Sequence, residues 1–427
     1  MKKIAIFSTI IFMMISTYSA AAAQSIDQIA EQYVKLVLAM GQHDGGYVDA
    51  YYGPEAWAEQ AKGKNIPVAQ IVSDAEILRG ELPKASEHTP LMQRLRLYYL
   101  DQQLVALIGF GKNLSGDEKL DFDAQSRELY DTEAPHNKLT DFDPLVAEVE
   151  AMLPGEGPIA ERIAAFKKQF EIPADKLQAV FDRAIQECRD RTKQHIKLLP
   201  NENFTLEYVT DKPWSGYNWY KGDAYSLIQV NTEYPIDISR AVDLGCHEGY
   251  PGHHTYNALL EQNLVKERNW VEYSVYPLFS PQSLIAEGSA NYGIQLAFPG
   301  KQKAEFEKNV LFPIAGIDPA LNARFERFGE LTAKLGYASN EVARMYINGE
   351  IDKTKAVSLL QKYSFATKEK ATQRVRFFDT YGAYVINYNW GRDLIKQYVE
   401  TTDDQNERWA RFTQLLSSPR LPSSLDW

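Results

Sequence analysis

Helical periodicity runs through most of the 427-residue chain and breaks clearly in one place, residues 203–232. Within this break, 204–209 and 224–231 have the alternation and β-branched content of strands. Before it, apolar residues recur at helical spacing over 26–41, 66–82, 90–111, 140–153, 157–171 and 174–198, and helical character returns after Pro235. The sequence therefore predicts a mainly α fold, a large helical body with one small β-sheet.

Two capping boxes, in which a Ser side chain and a Glu or Gln three residues later cap the same helix end, mark expected helix starts. Ser25 with Gln28 predicts a helix that begins at Ile26, and Ser115 with Glu118 predicts one over 116–131.

The N-terminus has the organisation of a secretory signal peptide. Met1 to Lys3 is basic, Ile4 to Ser16 is apolar, and Ala20 to Ala23 offers small residues for cleavage after Ala22 or Ala23. The alternative is an uncleaved membrane anchor, but the apolar stretch is short for a span. We expect residues 1–23 to be removed, with no membrane span afterwards and a periplasmic or secreted product.

The charge balance limits the partners. Asp and Glu number 57 against 46 Lys and Arg, which gives a formal net charge of -11. A negative surface disfavours nucleic acid and anionic lipid.

The chain has two cysteines, Cys188 and Cys246, which could form one disulfide in an oxidising compartment. Cys246 directly precedes the densest histidine cluster. We expect it to be a small buried residue on a helix rather than a nucleophile.

The chemistry concentrates in residues 247–254, which read His-Glu-Gly-Tyr-Pro-Gly-His-His. Neutral imidazoles bind zinc, and a neighbouring carboxylate can accept a proton from activated water. The familiar HExxH spacing is absent because Pro251 stands four residues after His247. Pro251 and Gly252 interrupt the helix, so His253 and His254 both remain candidates for a second ligand.

This string resembles the HExxPGHH signature of the bacterial domain-of-unknown-function 885 family, which is regarded as zinc-metallopeptidase-like. The second motif of that family, EGWALY, is matched by residues 287–292, with Ser289 and Asn291 in place of Trp and Leu. Weaker similarities are the Asn-Thr step at 231–232 and the Tyr-x-x-Gly pattern at 388–391. The resemblance spans about 204–422.

The resemblance implies a metallopeptidase-like body with the sheet near the active site. It implies His247, His253 and Glu287 as ligands of one zinc ion per chain, and Glu248 as the general base that activates water. Tyr388 is the expected catalytic donor to the developing oxyanion. On these grounds we divide the chain into a signal peptide (1–23), an N-terminal helical region (24–202) and a catalytic region (203–427).

The residue pattern supports parts of this site independently. A carboxylate such as Glu287, on a helix expected over 282–297, completes many two-histidine zinc sites. Asn291, one turn further on, could hold the far nitrogen of a ligand histidine, and Asp243 competes for that role. Arg374 and Arg376 could bind an oxyanion or a substrate carboxylate, although solvated arginines are the more ordinary interpretation.

Segment 224–231 has the alternation of an edge strand, which could bind an extended peptide by strand addition, or of an ordinary sheet strand.

The function predicted from the sequence is an exported zinc-dependent metallopeptidase that acts on short peptides. One alternative is a zinc-dependent hydrolase of a non-peptide amide, such as a cell-wall or acyl-amino-acid substrate. Another is an exported zinc-binding protein with a degenerate site, suggested by Ser289 and Asn291. The sequence indicates neither which end of a peptide is cleaved nor the oligomeric state.

Overall fold

The chain is mainly α-helical, as predicted, with two small sheets where the sequence indicated one, in a computed structural model that describes residues 24–427 except 118 and 213. The predicted signal peptide, 1–23, lies outside the described residues. Among the described helices, none is both long and apolar enough to cross a bilayer.

The described helices and strands follow one another along the chain with short connections. The helices are α1 Ile26–Met40, α2 Glu55–Lys64, α3 Val68–Gly80, α4 Leu91–Ser115, α5 Phe122–Tyr130, α6 Asp143–Met152, α7 Ile159–Lys168, α8 Leu177–Lys193, α9 Ser239–Leu244, α10 His253–Leu260, α11 Pro281–Ala297, α12 Gln302–Phe306, α13 Phe312–Ala315, α14 Asn322–Lys334, α15 Gly336–Ile347, α16 Lys353–Tyr363, α17 Lys368–Tyr381, α18 Ile386–Val399 and α19 Gln405–Leu416. The strands are β1 Val48–Tyr51, β2 Asn203–Val209, β3 Gly216–Gly222, β4 Tyr225–Asn231 and β5 Val275–Pro277.

One of the two capping predictions is confirmed. Ser25 and Gln28 form the reciprocal capping box at the start of α1. The prediction of a helix over 116–131 is wrong at its start, because Ser115 is the last residue of α4 and Gly116 ends that helix in a left-handed conformation. The next helix, α5, begins after Asp121, whose side chain caps it, and Glu118 lies outside the described residues.

The three-stranded sheet has the order β2-β4-β3. The central strand, β4, pairs in parallel with β2 and antiparallel with β3. The suggestion that 224–231 is an edge strand is therefore wrong, because both of its edges are already paired. The edge strands are β2 and β3, and the sequence pattern did not indicate β3.

The second sheet joins the two regions that were separated at residue 203. Strand β1 of the N-terminal region pairs antiparallel with β5 of the catalytic region, with Val48 opposite Pro277 and Tyr51 opposite Val275. The N-terminal region therefore contributes backbone directly beside the helix that follows β5, which is α11.

Helices α11 and α18 touch backbone to backbone at a pair of glycines. A Cβ atom on Gly288 would lie 2.5 Å from the carbonyl carbon of Gly391. Side chains at these two positions would force the helices apart, since real Cβ atoms need more than 3 Å. The close crossing holds Tyr388, on α18, beside Glu287, on α11.

The two cysteines form a disulfide between α8 and the helical turn at Gly245–Gly249. Their Cα atoms are 5.4 Å apart, and both residues are fully buried. The expected burial of Cys246 is confirmed. The crosslink fixes the residue that immediately precedes His247.

Replacing both Cys188 and Cys246 with Ser should lower the free energy of unfolding by about 4 kcal/mol, because the crosslink closes a loop of 58 residues in the unfolded chain. Denaturant unfolding of both proteins measures the difference. Reductant should destabilise the wild type and leave the double variant unchanged. Equal stability of the two proteins in the absence of reductant would contradict the crosslink.

Candidate metal centre

A break between two helical segments turns two histidine rings toward each other. His247 lies in a π-helical turn, Gly245–Gly249, and α10 begins at His253 after a cis Tyr250–Pro251 peptide bond. The two ring centroids are 4.7 Å apart and the rings are perpendicular. The reversal requires Gly252, where a Cβ atom would lie 1.8 Å from the carbonyl oxygen of His247.

Glu287 on α11 brings a carboxylate to the same point. Its Oε2 atom lies 3.2 Å from Nε2 of His247 and 3.9 Å from Nε2 of His253. One potential ligand atom from each of the three residues lies within 4.8 Å of the others. The structure thus brings together the three residues predicted as metal ligands.

His254 points into a separate buried network. Its Nε2 atom lies 3.2 Å from the Glu202 carboxylate, and its Nδ1 atom lies 2.9 Å from the Ser226 hydroxyl. Tyr250 also donates a hydrogen bond to Glu202, and Arg189 pairs with it. Of the two histidines left open by the sequence, His253 is the one that lies beside His247 and Glu287.

The donor set fits a zinc ion. Tetrahedral zinc with ligand bonds of about 2.0 Å separates its donor atoms by about 3.3 Å. The distances from Oε2 of Glu287 to the two histidine nitrogens, 3.2 and 3.9 Å, are close to this value. The Oε2 atom of Glu287 is buried and has no hydrogen-bond partner among the described residues. Burial and the neighbouring His247 lower the pKa of His253 to about 4, so its imidazole is neutral, the form that binds metal.

A second group of potential ligands is less suited to a cation. Asp123, Glu133 and His136 lie close together, but the group is largely exposed. Arg344 pairs with Asp123 at 3.0 Å, and Arg127 pairs with Glu133 at 2.7 Å. These arginines already neutralise the two carboxylates.

Tyr384 supports the ligand carboxylate and was missed by sequence reasoning. Its hydroxyl donates a hydrogen bond of 2.9 Å to Oε1 of Glu287, which leaves Oε2 directed at the histidines. The pKa of Tyr384 is raised well above its usual range by burial and by the charge of Glu287, so the hydroxyl stays protonated. The one sequence signal that could have indicated Tyr384 was its four-residue spacing from Tyr388, which puts both rings on one helical face.

Tyr388 is an exposed residue near this carboxylate. Its ring centroid is 5.8 Å from that of Tyr384, and its side chain is 40% exposed. Desolvation and the charge of Glu287 raise the pKa of Tyr388 well above its usual range, while the Arg374 guanidinium acts in the opposite direction. Tyr388 is therefore a hydroxyl donor near the three candidate ligands.

Asn291 and Asp243, the two residues suggested to hydrogen-bond the far nitrogen of a ligand histidine, have other partners. The side-chain amide of Asn291 donates to the backbone carbonyls of Glu287 and Tyr388 at 3.0 and 3.3 Å, linking α11 to α18. Asp243 lies near Arg240 and Lys303. Among the described residues, neither side chain forms a hydrogen bond or an ion pair with a histidine.

Glu248 packs against strand β3 and is 5% exposed. Desolvation, reinforced by the charge of Glu287 and opposed by that of His247, raises the pKa of Glu248 to about 7. A Cβ atom on Gly216 would lie 3.1 Å from Oε1 of Glu248, so the carboxylate occupies space that only glycine leaves free. Asn218 donates to the backbone carbonyl of Glu248 at 2.7 Å.

A further carboxylate near Glu287 and Glu248 belongs to Asp49 of the N-terminal region. Asp49 on β1 accepts a hydrogen bond from the Tyr217 hydroxyl on β3. Burial raises the pKa of Asp49 to about 6, opposed by that hydrogen bond and reinforced by the charge of Glu287. Nothing in the local sequence around Asp49 indicated this position, because it depends on the pairing of β1 with β5.

Comparison with known proteins gives a fold and no function. A lipoprotein candidate from Colwellia psychrerythraea has a similar structure, with a TM-score of 0.53 and 14% sequence identity over 87% of this chain and 68% of that one. A lipoprotein candidate of unknown function from Shewanella oneidensis has a TM-score of 0.49 and 13% identity, over 87% of this chain and 75% of that one. No family model and no curated protein matches the chain.

Alanine substitution should separate the two neighbouring histidines. His253→Ala should lose bound zinc, because it removes one of three ligands. His254→Ala should retain zinc and instead lower the free energy of unfolding by about 1–3 kcal/mol, because Glu202 loses a buried partner. Metal content by mass spectrometry and denaturant unfolding provide the two measurements. Zinc loss in His254→Ala with retention in His253→Ala would reverse the assignment.

Proposed function

We propose that the chain is an exported zinc-dependent metallopeptidase that hydrolyses short peptides. The observation that carries this proposal is the convergence of His247, His253 and Glu287, with a second buried carboxylate, Glu248, directly after the first histidine. Three protein ligands and a nearby general base are the composition of catalytic rather than structural zinc sites.

The residues of the chain have distinct parts in such a reaction. A bound zinc ion supplies a Lewis acid that polarises a carbonyl group and acidifies water. Glu248 accepts the proton of the attacking water and later gives it to the leaving amine. Its pKa of about 7 suits both transfers near neutral pH. Tyr388 donates a hydrogen bond to the carbonyl oxygen as negative charge develops there.

The position of strand β3 is evidence for a peptide as the substrate. The backbone N–H of Asn231 donates a hydrogen bond to the backbone carbonyl of Ser215. Ser215 and Tyr217 are therefore the residues whose backbone groups hydrogen-bond to β4. Because alternate residues of an antiparallel strand face opposite edges, the backbone groups of Gly216 and Asn218 face away from β4. Gly216 lies beside Glu248, so an extended peptide added at this edge would run past the general base.

Export is supported by the disulfide together with the N-terminal sequence. The bond between Cys188 and Cys246 forms and persists in oxidising compartments. The basic and apolar segments at 1–16, followed by small residues, have signal-peptide order. We therefore propose a periplasmic or secreted location.

The two departures from the family's second motif leave the ligand geometry intact. The Ser289 hydroxyl donates to the Ala286 carbonyl within α11, and Asn291 links α11 to α18. These contacts stabilise the helix that carries Glu287, which favours a working site over a degenerate one.

Glu248→Gln should retain zinc and the fold but lose turnover by about 10²–10⁴-fold, because an amide cannot accept the water proton. Hydrolysis of a blocked peptide library, with and without a chelator, measures the loss. An unchanged rate in zinc-loaded Glu248→Gln would rule out the assigned base. Failure of the zinc-loaded wild type to cleave any peptide would favour a non-peptide amide as the substrate.

Gly216→Ala should lower kcat about 10- to 100-fold without loss of zinc, because the added methyl group displaces the Glu248 carboxylate and meets Leu244 at 2.6 Å. Gly329→Ala is the matched control, since its Cβ atom would meet open space on α14. Steady-state kinetics and metal content are measured for both variants. Wild-type kcat in zinc-loaded Gly216→Ala would show that the position of Glu248 does not depend on β3.

A further inference from the structure

The disulfide between Cys188 and Cys246 adjoins both histidines of the candidate metal centre. Cys246 directly precedes His247, and its backbone carbonyl accepts a hydrogen bond of 3.0 Å from the backbone N–H of Gly252. Gly252 in turn directly precedes His253. One half of the crosslink is therefore next to the first candidate ligand and one hydrogen bond away from the segment that begins with the second.

The π-helical turn that carries His247 has little local stability of its own. Two of its five residues, Gly245 and Gly249, are glycines, which lose more conformational entropy on ordering than other residues do. π-Helical hydrogen bonding is rare and occurs mostly as single turns. The helical conformation ends at Tyr250, where the backbone is extended. The turn therefore depends on contacts with other elements to keep its shape.

Helix α8 provides the tightest of these contacts. A Cβ atom on Gly245 would lie 3.2 Å from Cγ1 and 3.5 Å from the backbone nitrogen of Ile185, so the turn lies directly against the α8 backbone. Cys188 follows Ile185 by three residues, on the same side of α8. Both cysteines are 0% exposed, so the disulfide lies inside the contact between α8 and the turn.

Hydrogen bonds from two other side chains also reach the turn. Asn218 donates to the backbone carbonyl of Glu248 at 2.7 Å, and the Thr255 hydroxyl donates to the backbone carbonyl of Gly249 at 3.3 Å. The net free energy of such bonds is small because water competes for the same groups, whereas water does not open a covalent bond. The crosslink is also the contact whose presence depends on the redox state of the surroundings.

We propose that the disulfide controls metal binding, so that the chain binds zinc weakly while Cys188 and Cys246 are thiols and tightly once they are crosslinked. This inference rests on the candidate metal centre and the proposed export, and it does not depend on which bond the enzyme cleaves. Without the crosslink, the turn populates arrangements in which His247 has moved away from His253 and Glu287. The apparent zinc affinity then falls in proportion to the fraction of molecules in which the three ligands converge.

Crosslinking requires an oxidant, and a small-molecule or protein disulfide is the class that fits. The two thiols transfer two electrons and two protons to that disulfide, so one S–S bond forms in the chain as one breaks in the oxidant, which leaves as two thiols. Reducing compartments keep cysteines as thiols, and oxidising compartments favour the crosslink. The chain therefore gains tight zinc binding, and with it any hydrolytic activity, only after export.

The zinc affinity of three forms of the protein tests this proposal, measured by competition with a chromophoric chelator. The forms are the oxidised wild type, the wild type equilibrated with a phosphine reductant, and Cys188→Ala/Cys246→Ala. The reduced wild type and the double variant should bind zinc at least about 10-fold more weakly than the oxidised wild type. Alanine cannot bind zinc, so the double variant also excludes capture of the ion by free thiols. Wild-type affinity in either uncrosslinked form would overturn the proposal.

Leu78→Ala is the matched control for general destabilisation. Leu78 is buried on α3, which packs mainly against α1 and α4, so its truncation removes apolar contacts away from the π-helical turn. This variant should have a lower melting temperature and an unchanged zinc affinity. An equal loss of zinc affinity in Leu78→Ala would overturn the proposal. Cys188→Val/Cys246→Ala, which refills part of the buried space, replaces the alanine pair if that pair does not fold.

Hydrogen exchange of the metal-free protein provides a readout that needs neither zinc nor turnover. Backbone amides within 245–253 should exchange at least about 10-fold faster in Cys188→Ala/Cys246→Ala than in the oxidised wild type, because the turn opens locally. Amides of α3 should exchange at similar rates in both proteins. Equal exchange rates within 245–253 would overturn the proposal.

The failure of this proposal is distinguishable from the failure of the peptidase assignment. Zinc binding that does not depend on the crosslink, together with chelator-sensitive cleavage of peptides, would overturn redox control and leave the proposed peptidase intact. Crosslink-dependent zinc binding without cleavage of any peptide would support redox control and count against the peptidase. Absence of zinc binding by the oxidised wild type would overturn both.

Discussion

The absence of a side chain at Gly252 is the constraint on which the candidate metal centre depends. A methyl group there would lie 1.8 Å from the carbonyl oxygen of His247, a distance no packing adjustment can accommodate. Because this position is bare, the chain reverses between the π-helical turn and α10 and brings His253 against His247. The disulfide at Cys246 then anchors the turn to α8. The ligand pair is thus a product of backbone geometry as much as of histidine chemistry.

Local sequence pattern predicted the helical class of the fold but not its long-range pairings. The capping box at Ser25 is confirmed, but the same pattern at Ser115 failed because Gly116 ends α4 directly after it. Alternation in 224–231 identified a strand, yet alternation cannot distinguish an edge from a centre, because pairing partners lie elsewhere in the chain. Strand β3 supplied the missing partner. The pairing of β1 with β5 was likewise invisible, although it brings the N-terminal region to the site.

For the site, the motif indicated the chemistry but not the complete surroundings. Histidine and carboxylate content predicted His247 and Glu287 as ligands, and the structure places their side chains 3.2 Å apart. The orientation of His253 depended on how the break at Pro251 turns, which spacing alone left open. Tyr384 and Asp49 reach the site from distant elements, and no local pattern marks such positions. Functional groups contributed by tertiary contacts were the part that sequence reasoning missed.

The two glutamates at the centre show how position assigns different roles to the same side chain. Desolvation acts on both, but for Glu287 the contacts with His247 and His253 and the hydrogen bond from Tyr384 outweigh it and lower the pKa. Among the described residues no side chain donates a hydrogen bond to the Glu248 carboxylate, so desolvation prevails and its pKa rises to about 7. A carboxylate kept ionised suits a metal ligand, and one poised near neutrality suits proton transfer. The divergence follows from which carboxylate meets the paired imidazoles and which packs against the bare backbone of Gly216.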